Sequence, residues 1–133
     1  MDTQTKSLTV TSQLKNIRKV VSELMDFVTA KTGIDENALP TVLSEAVTNA
    51  MVHGNKSDPD KKVFAEAWIT PEKLIFKISD EGKGFDYRKL PDPTKSENLK
   101  KTHGRGLYLV RNFMDNVFFR RFGSEIIREK YIN

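Results

Sequence analysis

An α/β two-layer sandwich, with a mixed but mostly antiparallel sheet and helices packed on one face, is the fold this 133-residue sequence predicts. Two observations lead there. Strand-like segments come in adjacent pairs, residues 62–70 with 73–80 and 117–122 with 125–131, and do not alternate strictly with helices. Two segments of helical period, residues 14–30 and 37–53, stand together before the first pair, each with its apolar residues gathered on one side. The length suits a single domain over residues 1–133 that buries enough surface to fold without staples.

Taken in order, residues 6–12 alternate weakly around Leu8 and Val10, which fits a short edge strand. Leu14, Ile17, Val20, Val21, Leu24, Phe27 and Val28 then recur at helical spacing, and Gly33 ends that helix. The second helix starts at Asn37 as N-cap, places Pro40 in the first turn where a missing N–H costs little, and stops at Gly54. In the first hairpin, which turns at Pro71-Glu72, Val63, Ala65, Ala67 and Ile69 share one face and Leu74, Phe76 and Ile78 share one face. Phe64 and Trp68 therefore point away from the helices, as do some of Phe118, Arg120 and Phe122. An apolar outer face of this kind marks a partner surface or a covering segment, although single exposed aromatics are also common. Residues 87–103 have no usable period and contain Pro91 and Pro93, so they read as a long loop of the sort that forms lids. Residues 105–115 read as a third helix with Leu107, Val110 and Met114 inward, and the second hairpin turns at Gly123.

Composition narrows the function. With no cysteine, disulfides, thiol catalysis and thiolate metal sites are excluded. The polar N-terminus lacks a secretory core and no stretch approaches the roughly 18 apolar residues of a membrane span, so a cytoplasmic protein without membrane contact is expected. The net charge of +4 is carried by residues 88–105, where six basic residues face two acidic ones. Such a segment attracts polyphosphate and DNA through the same field, but no recognition-helix pattern accompanies it, and direct nucleic-acid binding ranks last.

Three short segments carry the chemistry. Glu45 and Asn49, with His53 a further four residues on, line one helical strip. An Asn carbonyl is a suitable oxygen ligand for Mg²⁺, which takes one or two protein ligands and completes its shell with phosphate and water, and a neighbouring Glu can polarise an attacking hydroxyl. Asp80 ends an apolar strand, where its carboxylate can accept a hydrogen bond from an exocyclic amine such as that of adenine, and Gly82 and Gly84 allow backbone to approach the base. Gly104 and Gly106 precede the apolar helix opened by Leu107; a helix start offers free N–H groups to phosphate, and Arg105 adds charge. Taken singly, each segment is also explained blandly, as a solvated helix face, an ordinary Asp-Glu-Gly turn and a flexible approach to a helix.

Their order removes that ambiguity. Neither a Walker loop nor a dinucleotide fingerprint is present. Glu-x-x-x-Asn, then Asp-x-Gly-x-Gly-Phe ending at Phe85, then a long loop, then Gly-x-Gly-Leu ending at Leu107 resembles the ATP-binding fold shared by gyrase, histidine kinases and MutL. Within it, residues 43–55 and 106–117 are most similar to the anti-sigma-factor serine kinases of sporulation and stress response, and the resemblance runs from Val10 to Tyr131. It implies ATP and Mg²⁺ as cofactors, Asn49 as the magnesium ligand, Glu45 as the base, Asp80 as the adenine reader, and Gly82, Gly84, Gly104 and Gly106 as the shape of the pocket and lid. It further implies a sigma factor and an anti-anti-sigma antagonist as partners, phosphorylation of a serine on the antagonist, and a homodimer. One departure stands out: relatives carry a threonine near the adenine where this chain has Ser124.

Two functions of different class follow. In the first the chain is an ATP-dependent protein serine/threonine kinase that also sequesters a regulator. In the second it is a binding module in which nucleotide orders the loop of residues 87–103 and sets partner affinity without chemistry. A histidine-kinase catalytic fragment is a third expectation, weakened because the chain starts almost directly at the fold.

Overall fold

The computed structural model describes residues 3–36, 38–82 and 114–132. Five strands form one sheet, β1 (Gln4–Thr11), β2 (Lys62–Ile69), β3 (Lys73–Asp80), β4 (Asn116–Arg120) and β5 (Glu125–Tyr131), in the order β1-β2-β3-β5-β4. Every pairing is antiparallel, so among the described residues the sheet is purely antiparallel and not mixed. Helices α1 (Lys15–Thr32) and α2 (Ala38–Asn49) cover one face, which gives the expected two layers. The N-cap expected at Asn37, the loop of residues 87–103 and the helix expected from 105 lie outside the described residues.

Strand alternation fixes which side chains meet the helices. Val63 pairs with Asp80, Ala65 with Ile78, Ala67 with Phe76 and Ile69 with Leu74, and all eight are buried. Val20, Leu24, Met25 and Val28 of α1 and Leu39, Val42, Leu43, Ala46 and Val47 of α2 close the core from above. Gly33 ends α1 in the left-handed region at φ 76°, where its N–H donates to the Thr29 carbonyl at 2.9 Å. The small residues Ala65 and Ala67 at the centre of β2 let the helices sit close to the sheet, while Phe76 fills the space across from them.

The opposite face carries Phe64, Trp68, Ile75 and Ile127 together with charge. Phe64 and Phe118 are exposed, as is Tyr131. Lys77 lies between Glu66 at 3.1 Å and Glu125 at 3.5 Å, and Lys73 meets Glu129 at 3.2 Å. Both lysine pKa values are raised, each chiefly by the side-chain hydrogen bond to its glutamate. No helix among the described residues is long and apolar enough to cross a membrane.

The chain leaves α2 through a π-helical turn, Ala50–Gly54, in which the Asn55 N–H reaches back five residues to the Ala50 carbonyl at 2.8 Å. Lys56 and Ser57 follow at φ 57° and 59°, a strained excursion for two non-glycine residues. Asn55 holds that excursion. Fully buried, it donates to Ser12 Oγ at 2.8 Å and to the Lys62 carbonyl at 2.9 Å, and its Oδ1 accepts the Glu81 N–H at 2.8 Å. One amide thus ties together the end of β1, the start of β2 and the residue after β3. Asn55→Ala strands these groups away from water and is expected to lower unfolding stability by about 2–4 kcal/mol, read from urea denaturation.

Candidate nucleotide site

Apolar residues of α2 face the sheet, which leaves Glu45 and Asn49 along the edge of that contact, both half-buried. The π turn after Asn49 carries the chain down onto the end of β3; such turns concentrate at functional positions because they re-aim a helix end. It brings Gly54 against Asp80.

Asp80 closes β3 on the helix-facing side and is 4% exposed. Its backbone N–H donates to the Ser124 carbonyl at 2.9 Å, and Oδ1 accepts the Gly82 N–H at 2.8 Å. No described residue donates to Oδ2. Burial pushes the Asp80 carboxyl above its ordinary range, and the Gly82 N–H, Arg121 and Lys61 oppose that shift without cancelling it. The result is a desolvated carboxylate with one oxygen waiting for a donor.

Two glycines make room for it. A Cβ on Gly54 would overlap the Asp80 carboxylate, and a Cβ on Gly82 would overlap the Gly54 carbonyl. Ala46 and Asn49 from α2, Asp80 from β3, and Ser124, Ile126 and Arg128 around β5 line the narrow cleft that results. Ser124 is buried, and its hydroxyl donates to the Arg121 carbonyl at 2.8 Å, which leaves its oxygen free to accept. Arg121 itself sits at φ 51° in the short 3-10 turn Arg121–Gly123.

A wider groove of about 750 Å³ runs between α1 and α2, lined by Ile17, Val21, Met25, Pro40, Ser44 and Glu45 among others. Glu45 therefore borders the groove, while Asn49, one turn further along the same helix, borders the cleft.

Of the residues expected from sequence, Asn49, Asp80 and Ser124 meet in the cleft, Gly82 bonds Asp80, and Glu45 stands one helical turn from Asn49. His53 is exposed on the π turn and does not line the cleft with them. Gly84, Phe85, Gly104, Arg105, Gly106 and Leu107 lie outside the described residues. Sequence reasoning treated Gly54 only as a helix stop, and it missed Arg128. The signal for Gly54 was its place in an Asn-x-x-x-His-Gly-Asn run; for Arg128 there was none, since Ile126 and Ile127 are adjacent and leave the inward parity of that strand open.

The residues fit an adenine nucleotide with Mg²⁺. Asp80 Oδ2 has no donor among the described residues, in a cleft that glycine hydrogens keep open, which matches an exocyclic amine. The Asn49 amide makes no side-chain hydrogen bond among the described residues, and no group of three or more His, Cys, Asp or Glu there could hold a metal. A cation bound by one amide oxygen and otherwise by phosphate and water suits that donor set.

Two variants separate the stability of the site from its binding. Because the Asp80 pKa is raised on folding, its ionised form opposes folding above the ordinary carboxylate pKa of 3.8, and that cost vanishes where both states are protonated. Asp80→Asn should therefore melt no lower than wild type near neutral pH, with any advantage shrinking toward about pH 4, while adenine-nucleotide affinity in calorimetry falls at least ~10-fold. Gly54→Ala should cost about 1–3 kcal/mol of stability and also weaken nucleotide binding, because its methyl occupies the carboxylate's place.

Known proteins resemble this chain. The histidine kinase-like ATPase domain matches residues 10–128. An anti-sigma F factor of Oceanobacillus iheyensis is 37% identical over 82 residues, which cover 59% of this chain and 56% of that protein. The serine-protein kinase RsbW of Listeria monocytogenes is 32% identical over 102 residues, 71% of this chain and 65% of the relative. An anti-sigma F factor of Bacillus cytotoxicus is 34% identical over 101 residues, 71% of this chain and 68% of the relative. The chain thus spans less than two thirds of the length of the first two. A sheet covered on one face by helices, a cleft built on Asp80 and Asn49, and these matches together establish that the chain belongs to the histidine kinase-like ATPase domain family, in the branch that contains the anti-sigma-factor serine kinases.

Proposed function

We propose that the protein is an ATP-dependent serine/threonine kinase that acts as an anti-sigma factor in a partner switch and phosphorylates a small anti-anti-sigma antagonist. The observation that carries this is the position of Glu45 on α2, one turn from Asn49, between a cleft suited to a nucleotide and a groove open to another molecule. A module that merely sensed nucleotide would not need an acid at that junction.

Bound Mg-ATP supplies the phosphoryl group and a cation that neutralises its oxygens. The chain contributes the rest. Asp80 accepts the exocyclic amine and orients the base, and Ser124 Oγ is available as a second acceptor beside it. Asn49 offers its carbonyl oxygen to the cation. Glu45 takes the proton of the incoming serine hydroxyl, a general-base contribution of about 10²–10⁴-fold in rate. On the product, a phosphoserine adds roughly −1.5 to −2 charge at the contact surface, which loosens the antagonist's hold. The open sheet face, with Phe64, Phe118 and Tyr131 exposed, supports pairing as a homodimer.

Labelled phosphate transfer from Mg-ATP to the cognate antagonist tests the assignment. Glu45→Gln should keep Mg-ATP affinity and slow transfer by about 10²–10⁴-fold, whereas Asn49→Ala should lose Mg-dependent nucleotide binding. No transfer by wild type, combined with partner binding that still depends on nucleotide, would favour a nucleotide-gated binding module instead.

A further inference from the structure

The ladder between β2 and β3 ends in a rung that side chains hold open. The Asp80 backbone N–H points away from β2, to the Ser124 carbonyl, so by alternation Ser79 and Glu81 are the residues whose backbone faces β2. Val63 with Asp80 is the last pair of the register, and the next pair in line is Lys62 with Glu81. In a continued ladder those two residues would exchange backbone bonds. Here the Lys62 N–H donates to Glu81 Oε1 at 2.7 Å, where a continued strand would offer the Glu81 carbonyl. The Glu81 N–H donates to Asn55 Oδ1 at 2.8 Å, and the Lys62 carbonyl accepts from Asn55 Nδ2 at 2.9 Å. One amide and one carboxylate thus stand in for the missing main-chain pair.

This sets the direction in which the chain leaves β3. Residue 81 is tied twice, by its N–H to Asn55 and by its carboxylate to Lys62, and the peptide that follows carries the Gly82 N–H back to Asp80 Oδ1 at 2.8 Å. Had the strand continued, Gly82 would lie roughly 6–7 Å further along its axis than residue 80. The bond from Gly82 orients the Asp80 carboxylate and leaves Oδ2 as the oxygen to which no described residue donates. Little latitude remains, because a Cβ on Gly82 would overlap the Gly54 carbonyl.

Resting on the reading of Asp80 as acceptor of the adenine amine, we infer that Glu81 is a positioning residue for the nucleotide site. Its carboxylate, bonded to the Lys62 N–H, keeps the last β2–β3 rung open and so aims the Asp80 carboxylate. Glu81 is exposed, reaches toward β2 and does not line the cleft. Its effect passes through the turn at Gly82. Reach decides that effect more than charge does, since the Lys62 N–H needs an oxygen at hydrogen-bond distance. Glutamine supplies that oxygen without the charge, whereas aspartate keeps the charge on a side chain one methylene shorter.

Amide exchange and nucleotide affinity, both measured on the full chain, test the inference. In Glu81→Ala and Glu81→Asp the Gly82 amide should exchange at least ~10-fold faster, while Glu81→Gln stays within ~3-fold of wild type. Calorimetry compares Mg-ADP with the Mg complex of purine riboside diphosphate, which carries hydrogen in place of the 6-amino group. Wild type should prefer ADP. Glu81→Ala and Glu81→Asp should cut that preference at least ~5-fold by weakening ADP, with the amine-free analogue changed less than ~2-fold, and Glu81→Gln should restore it. Equal weakening of both nucleotides would overturn the inference, because it marks a general loss of structure. So would unchanged Gly82 exchange in Glu81→Ala, or a Glu81→Gln variant that behaves like Glu81→Ala. If Glu81→Ala does not fold, Glu81→Asp carries the same criteria. Wild-type protein that binds the two nucleotides alike would instead defeat the reading of Asp80, and Gly82 exchange would still decide whether Glu81 holds the turn.

Discussion

A carboxylate buried at the end of a strand sets the terms for the rest of this molecule. Asp80 has lost most of its water, accepts the Gly82 N–H, and lines a cleft in which no other described residue donates to its second oxygen. Everything around it serves to make that burial tolerable. Val63 pairs with it on the same face, Ser124 takes its backbone N–H, and two glycines give up side chains so that the carboxylate has somewhere to sit. A hydrophobic residue at the same position would be cheaper to bury.

The π turn converts this local arrangement into a site. An uninterrupted α-helix through residue 53 would keep the backbone of Gly54 on a different course. Widening one turn lets α2 present Asn49 at the cleft and then lay Gly54 across Asp80 within five residues. Asn55 secures the exit with its bonds to Ser12, Lys62 and Glu81, at the positions where β1 ends and β2 begins. The geometry of the candidate cleft and fold stability therefore share the same few residues, and the left-handed Lys56 and Ser57 are tolerated because that amide holds them.

Much of this could be read from sequence, for identifiable reasons. Alternation in Val63-x-Ala65-x-Ala67-x-Ile69 and Leu74-x-Phe76-x-Ile78 fixes the buried face of each strand, and Phe64 fell outside as expected. The first helix ran to Gly33 as its left-handed terminator requires. Glu45, Asn49 and Asp80 stood out because chemistry restricts residue type where a nucleotide would be held, and Asn49 and Asp80 do line one cleft. What escaped was of another kind. The π turn has no compositional signature, so a helix continuous to His53 was expected. Arg128 lies in a strand whose Glu-Ile-Ile-Arg pattern fits either parity, and only pairing with Phe76 and Val117 settles which way it points. The sheet proved wholly antiparallel among the described residues because each neighbouring strand runs back along the last, even where β5 inserts between β3 and β4.

The contact between Gly54 and Gly82 has an evolutionary implication. Most tight junctions in a core can drift, because trimming one side chain makes space for growth in the other. Here the obstacle to any side chain at position 82 is the peptide carbonyl of residue 54, and main chain cannot be trimmed. No compensating replacement is open at position 82, so neutral wandering there is closed off, whereas a side chain at position 54 meets the Asp80 carboxylate and could enter only in a descendant that gave that carboxylate up.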